Sequence, residues 1–265
     1  MGKIIGVVSL KGGVGKTSVV VALGAALAKF GRKVLLIDGN LSAPNLGMHL
    51  NIIEPDITLN DVLANKQNIN DAIYVREDFD IIPASLFSRE TINPLKLKEK
   101  IRYLKNRYDT ILIDSSPALN EETLAVMLAS DELLVVATPD YATLGTTLKA
   151  IKTAKQRGEN IIGLILNKVY NKNFEIAIDD IENTIDIPIM AVVPHDTNVL
   201  KAQSKFTPFT NYQNKGEASN EYKKLAAALL GEQYKDIKLK KFFKWINPRR
   251  QDINRTIFYK SRFAD

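Results

Sequence analysis

Residues 4–17 read Ile4-Ile5-Gly6-Val7-Val8-Ser9-Leu10-Lys11-Gly12-Gly13-Val14-Gly15-Lys16-Thr17. The first half is rich in Val and Ile at consecutive positions, the pattern of a strand buried on both faces. The second half is a glycine loop, and residues 16–29 continue with helical spacing. Strand, loop and helix in that order are the context that turns GGxGKT into a phosphate cradle. Glycines let backbone N–H groups curl around an anion, and the helix N-terminus adds the positive end of its dipole. In such a loop Gly12, Gly13, Val14 and Gly15 line the phosphates, Lys16 reaches the β- and γ-phosphates, and the Thr17 hydroxyl ligates magnesium. Ser18, the next residue of the helix, belongs to the same nucleotide-binding set. A glycine turn without a ligand is the competing reading, and the strand–loop–helix context weighs against it.

Working outward, further apolar runs lie at 34–37, 79–82, 111–113, 133–137, 161–166 and 189–193. Helical patterns alternate with them at 94–107, 121–129, 143–156, 174–184 and 217–230. This alternation predicts an α/β fold: a doubly wound, mostly parallel sheet of about seven strands with helices on both faces. The expected organisation is a P-loop domain over 1–230 and a basic amphipathic tail over 231–265.

The chain of 265 residues carries a net charge of +6, and its 45% hydrophobic and 25% charged residues are ordinary for a globular protein. It has no cysteine, which excludes disulfides, thiolate metal sites and cysteine nucleophiles. Two histidines, His49 and His195, leave little room for a histidine-rich zinc site. Residues 1–230 carry 26 basic against 26 acidic residues, whereas residues 231–265 carry ten against four. The whole net charge therefore sits in the tail. The N-terminal apolar run is too short for a signal peptide, and no stretch approaches the roughly 18 apolar residues of a membrane span. The expectation from these features is a cytoplasmic protein with a neutral body and a basic tail that meets something anionic.

The loop departs from the general phosphate-loop pattern. Leu10 stands where a glycine is usual, and a second lysine, Lys11, opens the motif. The combination resembles the deviant Walker A motif, KGGxGKT, of the MinD/ParA family of ATPases. The resemblance extends over roughly 1–230. Val34-Leu35-Leu36-Ile37-Asp38 looks like the strand that ends in the switch I aspartate, followed by a MinD-type Asn45-Leu46-Gly47. Ile111-Leu112-Ile113-Asp114 looks like the Walker B strand. Thr138-Pro139-Asp140 resembles a strand-end turn of the family. Asn167-Lys168 resembles the pair whose Asn reads adenine, and Val193-Pro194-His195-Asp196 the late loop that packs on the base. The resemblance implies ATP and Mg2+ as cofactors, with Thr17, Asp38 and Asp114 around the metal. It implies an ATP-dependent homodimer in which Lys11 contacts the other subunit's nucleotide. A second switch I aspartate is usual in the family, and Asn40 stands in its place. Asn can orient a water but cannot take its proton. With Lys11, Lys16, Asp38 and Asn40 as the catalytic set, the expectation is slow or partner-dependent ATP hydrolysis, the stimulating protein being unidentified. Ala118 and Asn120 also depart from the usual switch II glycines.

In the tail, Leu239, Phe242, Phe243 and Ile246 fall at i, i+3, i+4 and i+7, with Lys240, Lys241 and Lys244 opposite. A lysine-rich face opposite an apolar stripe is the pattern of an interfacial helix, and MinD relatives carry a similar membrane-targeting sequence. A last helix docked on the body is the plain structural alternative. Residues 251–265 extend beyond the family pattern and are open to several readings: a second membrane anchor, a partner peptide, a disordered end, or nucleic-acid contact through their interleaved aromatic and basic residues. The leading expectation is a MinD-like ATPase that cycles on an anionic membrane to position a division or other surface machine. The alternatives are a ParA-like ATPase holding DNA through phosphates, and a non-hydrolysing ATP-dependent scaffold.

Overall fold

The computed structural model describes residues 1–88, 90–232, 234 and 249–263. Seven strands, β1 (Lys3–Val8), β2 (Val34–Asp38), β3 (Asp80–Ile82), β4 (Thr110–Asp114), β5 (Glu132–Ala137), β6 (Ile161–Val169) and β7 (Ile189–Pro194), form one sheet in the order β3-β2-β4-β1-β5-β6-β7. Every pairing within it is parallel.

The consecutive apolar runs feed two cores. Ile4, Val8, Leu35, Ile37, Ile111 and Ile113 point to one layer. Ile5, Val7, Val34, Leu36 and Leu112 point to the other. The first layer is closed by α3 (Leu59–Leu63), α4 (Leu97–Ile101), α5 (Glu121–Ala129), α6 (Tyr141–Gln156) and α7 (Ile178–Ile185). The second is closed by α1 (Lys16–Ala28), α2 (Leu46–His49), α8 (Asn198–Gln203), α9 (Phe209–Tyr212), α10 (Glu217–Leu230) and α11 (Arg250–Phe263). Helices thus cover both faces, as the alternating pattern predicts. Among the described residues no helix is long and apolar enough to cross a membrane.

Two predicted helices are shorter than their sequence pattern. The 94–107 segment is a short α4 between 3-10 turns at Pro94–Lys96 and Arg102–Asn106. The 174–184 pattern starts only at Ile178, because the Glu175 carboxylate accepts the N–H groups of Tyr170 (2.9 Å) and Lys172 (3.2 Å) and closes a loop instead.

The stripe Leu239, Phe242, Phe243 and Ile246 lies outside the described residues. The extension beyond it is partly described and forms α11, which packs against β7 and α10. Arg255 is buried there; its Nη1 donates to Glu221 and to the Met190 carbonyl, both at 2.9 Å, and its Nη2 to Asp252 at 2.5 Å. Arg250 pairs with Glu182, Asn254 Nδ2 donates to Glu182 (2.6 Å) and to the Ile189 carbonyl (2.9 Å), and Arg262 pairs with buried Glu132. Gly231 closes α10 at φ 71°, and a Cβ there would sit 2.8 Å from the Phe263 ring. A side chain at that position would displace α11 as well as strain the turn.

Candidate functional site

The glycine loop joins β1 to α1 at the carboxyl edge of the sheet, with β4 and β5 on either side of β1. Crevices at that edge are where open parallel sheets bind ligands. Gly13 and Gly15 lie in the left-handed region, at φ 80° and 87°. A Cβ on Gly15 would come within 2.5 Å of Asn167 Nδ2, so the loop is closed to any larger residue there. Among the described residues the N–H groups of residues 12–17 donate no hydrogen bond. A row of free donors at a helix N-terminus is a ready anion cradle.

Lys16, Thr17 and Asp114 converge beside it. Lys16 Nζ lies 3.1 Å from Asp114 Oδ1 and also donates to the Ser115 carbonyl; Thr17 Oγ1 donates to Asp114 Oδ2 at 2.6 Å. Asp38 and Asp114 are directly paired in the β2–β4 register, so two fully buried carboxyl groups end adjacent strands. Burial first, and the Asp114 charge second, push the Asp38 carboxyl up to about 8, against the N–H groups of Leu46, Asn40 and Asn45, which pull it down. A carboxylate pair with a hydroxyl suits magnesium, which keeps several waters and takes few protein oxygens.

Asn40 follows Asp38 at the same sheet edge. Its Nδ2 donates to the Ala43 carbonyl, and its Oδ1 is buried without a hydrogen-bond partner. An orphaned buried acceptor is costly unless a water or ligand donor fills it. Asn120 caps α5, accepting the Thr123 N–H at 3.0 Å.

Lys11 is not beside Lys16. Its ammonium sits 3.1 Å from Asp140 Oδ1 and 2.9 Å from Thr143 Oγ1, at the start of α6. Burial works to raise the Asp140 carboxyl, but hydrogen bonds from Thr138, Thr143 and Lys11 outweigh it and hold the group below the usual carboxylate range.

A cavity of about 140 Å³ opens on the other side of the loop, lined by Gly15, Ser18, Asn167, Pro194, His195 and Tyr222 among others. Asn167 Nδ2 donates to the Val14 carbonyl and Lys168 Nζ to the Gly13 carbonyl, both at 2.7 Å, so both residues brace the glycine loop. The His195 N–H donates to the Val169 carbonyl at 2.8 Å, and its ring stacks on Tyr170 with centroids 4.4 Å apart. Sequence reasoning missed the hold of Asp140 and Thr143 on Lys11, the Tyr170 stack, and the Phe209 and Tyr222 walls of the cavity. Asp140 carried a legible signal, since Asp-x-x-Thr before a helical pattern is a cap; that it holds Lys11, 129 residues away, was not legible.

A parallel sheet with a free-donor glycine cradle between β1 and α1, and a lysine, a hydroxyl and a carboxylate converging on it, defines a P-loop nucleotide-binding protein. A family profile described as an AAA domain matches residues 2–164. A second, described as 4Fe-4S iron sulfur cluster binding proteins of the NifH/frxC family, matches residues 89–242, although the chain has no cysteine to ligate a cluster. The chain is 36% identical over 240 residues to an uncharacterised ATP-binding protein of Methanocaldococcus jannaschii, covering 89% of this chain and 90% of that one. It is 30% identical to the septum site-determining protein MinD of Thermotoga maritima, over 88% of this chain and 89% of the relative. Among solved structures, Pyrococcus horikoshii MinD complexed with Mg-ADP superposes with a TM-score of 0.82 at 35% identity, covering 86% of this chain and 96% of the other. The chain belongs to the MinD/ParA family of P-loop ATPases.

Proposed function

We propose that this chain is a MinD-type ATPase that binds ATP with Mg2+, pairs with a second copy around the nucleotide, and attaches reversibly to an anionic membrane through residues 238–246. The convergence of Lys16, Thr17 and Asp114 beside the free N–H groups of residues 12–17 carries the nucleotide part. Lys16 would leave Asp114 for the β- and γ-phosphates, Thr17 and Asp114 would hold the metal and its waters, and Asp38 would join them. Bound magnesium supplies charge neutralisation for the phosphates. Asn167, Pro194 and His195 form the base end of the site. The orphaned Asn40 Oδ1 accepts a hydrogen bond from the attacking water without taking its proton, which supports slow turnover raised by a protein partner. Lys11 reaches the partner copy only after leaving Asp140 and Thr143.

The membrane part rests on the Leu239, Phe242, Phe243 and Ile246 stripe. One stripe contributes a few kcal/mol at most, about 1 kcal/mol more comes from each nearby lysine, and pairing two copies multiplies the apparent affinity by roughly 10²-fold. ATP-driven pairing is then a membrane switch. The test is co-sedimentation of the full-length protein with anionic vesicles, with ADP and with a non-hydrolysable ATP analogue. A Phe242→Asp, Phe243→Asp double variant is the control, because truncation would also remove α11 from the body. Sedimentation with the ATP analogue only, lost in the double variant, supports the switch. Binding that ignores the nucleotide, or no binding, overturns it.

A DNA-binding reading is favoured by one observation. Glu132, Glu182, Glu217 and Glu221 are paired with arginines of residues 249–262, so the body's remaining charges are net basic. Filter binding of DNA beside the vesicle assay separates the two.

A further inference from the structure

A cavity of about 390 Å³ lies between the start of α11 and the ends of β6 and β7. It is lined by Val169, Ile178, Val192 and Pro194 on its apolar side and by Asp179, Glu217, Arg249, Arg250 and Gln251 on its polar side. Only Pro194 is shared with the cavity beside the glycine loop.

Gln251 is the informative residue. It is only 3% exposed, yet its side chain has no hydrogen bond among the described residues. It is also one of the residues that line the cavity. A buried amide with free donor and acceptor asks for a partner. The charges around it are already matched. Arg249 pairs with Glu217 at 2.8 Å, Arg250 pairs with Glu182, and Asp179 adds a second carboxylate to the Arg250 side. A strongly charged ligand would gain little net field there. The volume falls in the range of small-molecule sites, whose walls are apolar with a few orienting polar groups.

We propose that this cavity is a second ligand site, separate from the P-loop, for an uncharged flat compound of the nucleobase or carboxamide class. Its adjacent donor and acceptor pair with the Gln251 amide, and its faces lie against Ile178, Val192 and Pro194. The site stands whether or not the P-loop reading holds.

The test is calorimetric titration of the full-length protein with adenine, guanine, uracil, nicotinamide and their nucleosides, with acetate and inorganic phosphate as charged controls. Each titration is repeated with magnesium and ADP in excess, which separates this cavity from the base end of the P-loop. The expected result is one uncharged compound saturating a single site with a Kd below about 1 mM, the affinity falling roughly tenfold or more in Gln251→Leu. Ile178→Phe, which fills the cavity from α7, abolishes the same binding and guards against a folding defect in the first variant. No binding by any compound of the panel, equal binding by Gln251→Leu, or binding by the charged controls alone overturns the assignment. The free-base and nucleoside arms tell whether a sugar is accommodated.

Discussion

Lys16 and Asp114 form an ion pair with both side chains almost wholly buried. Truncating Lys16 to Ala removes the cradle's cation and strands a buried carboxylate. The expected loss of nucleotide affinity is about 2–5 kcal/mol, roughly 30-fold or more, read by fluorescent-nucleotide titration. At Asn40 the expected direction is opposite. Asn40→Asp supplies a proton acceptor, and general-base assistance is worth about 10²-fold or more, so single-turnover hydrolysis should accelerate. An unchanged rate would show that proton transfer does not limit the reaction. His49, whose Nε2 lies 3.3 Å from Gln203 Nε2, titrates differently from a free imidazole: burial lowers its pKa, and the Asp114 charge only partly restores it. The unfolded chain therefore takes up this proton at a higher pH than the folded one. Stability is full above the ordinary value of 6.5 and falls as the pH drops below it. Between pH 7.5 and 5.5 the wild-type Tm should fall further than that of His49→Gln.

At the scale of elements, α11 tests the difference between buried and exposed ion pairs. Arg255 holds Glu221 where both are buried, and Arg255→Ala should lower unfolding free energy by about 3–5 kcal/mol in urea titrations. Arg249 holds Glu217 on the surface, and Arg249→Ala should cost about 1 kcal/mol or less. Equal effects of the two would refute the view that α11 is fastened by its buried network. The sheet and its main helices were legible because Val/Ile runs and 3.6-residue spacing are local signals, and β1 to α1 carried its own motif. The docking of α11 was not. Its sequence is polar overall, with Arg255 and Gln251 on the inward face, and only the positions of Glu221 and the Met190 carbonyl explain why Arg255 is buried. The same limit applied to the site. Lys16, Thr17 and Asp114 come from motifs that can be read singly, whereas Lys11 with Asp140 is a contact made across β1 and β5.

For the whole molecule, the structure redistributes the charge counted along the chain. Four arginines of residues 249–262 are engaged by carboxylates of the body. The sequence places five further lysines between 235 and 244, around the apolar stripe. Vesicle attachment should therefore weaken as salt rises from about 50 to 300 mM, yet retain an apolar remainder, because screening acts on lysine charges and not on the phenylalanines. Complete loss in moderate salt would indicate a purely electrostatic contact, as expected for DNA phosphates.

The pairing of α11 with the sheet also bears on how the chain is made. Glu182 lies in α7 and meets Arg250 only at the start of α11, whereas Glu132 and Glu221, which meet Arg262 and Arg255, also have Lys3 and Lys224 at 3.3 and 3.7 Å. During synthesis every strand leaves the ribosome before those arginines do. Until then the nascent chain must keep the Glu182 carboxylate in water or protonate it, since burying it unpaired is too costly. The β7 edge, where Glu182 accepts the Ile189 N–H, is thus expected to close after the P-loop side, so vectorial folding of this ATPase would finish at the edge farthest from β3.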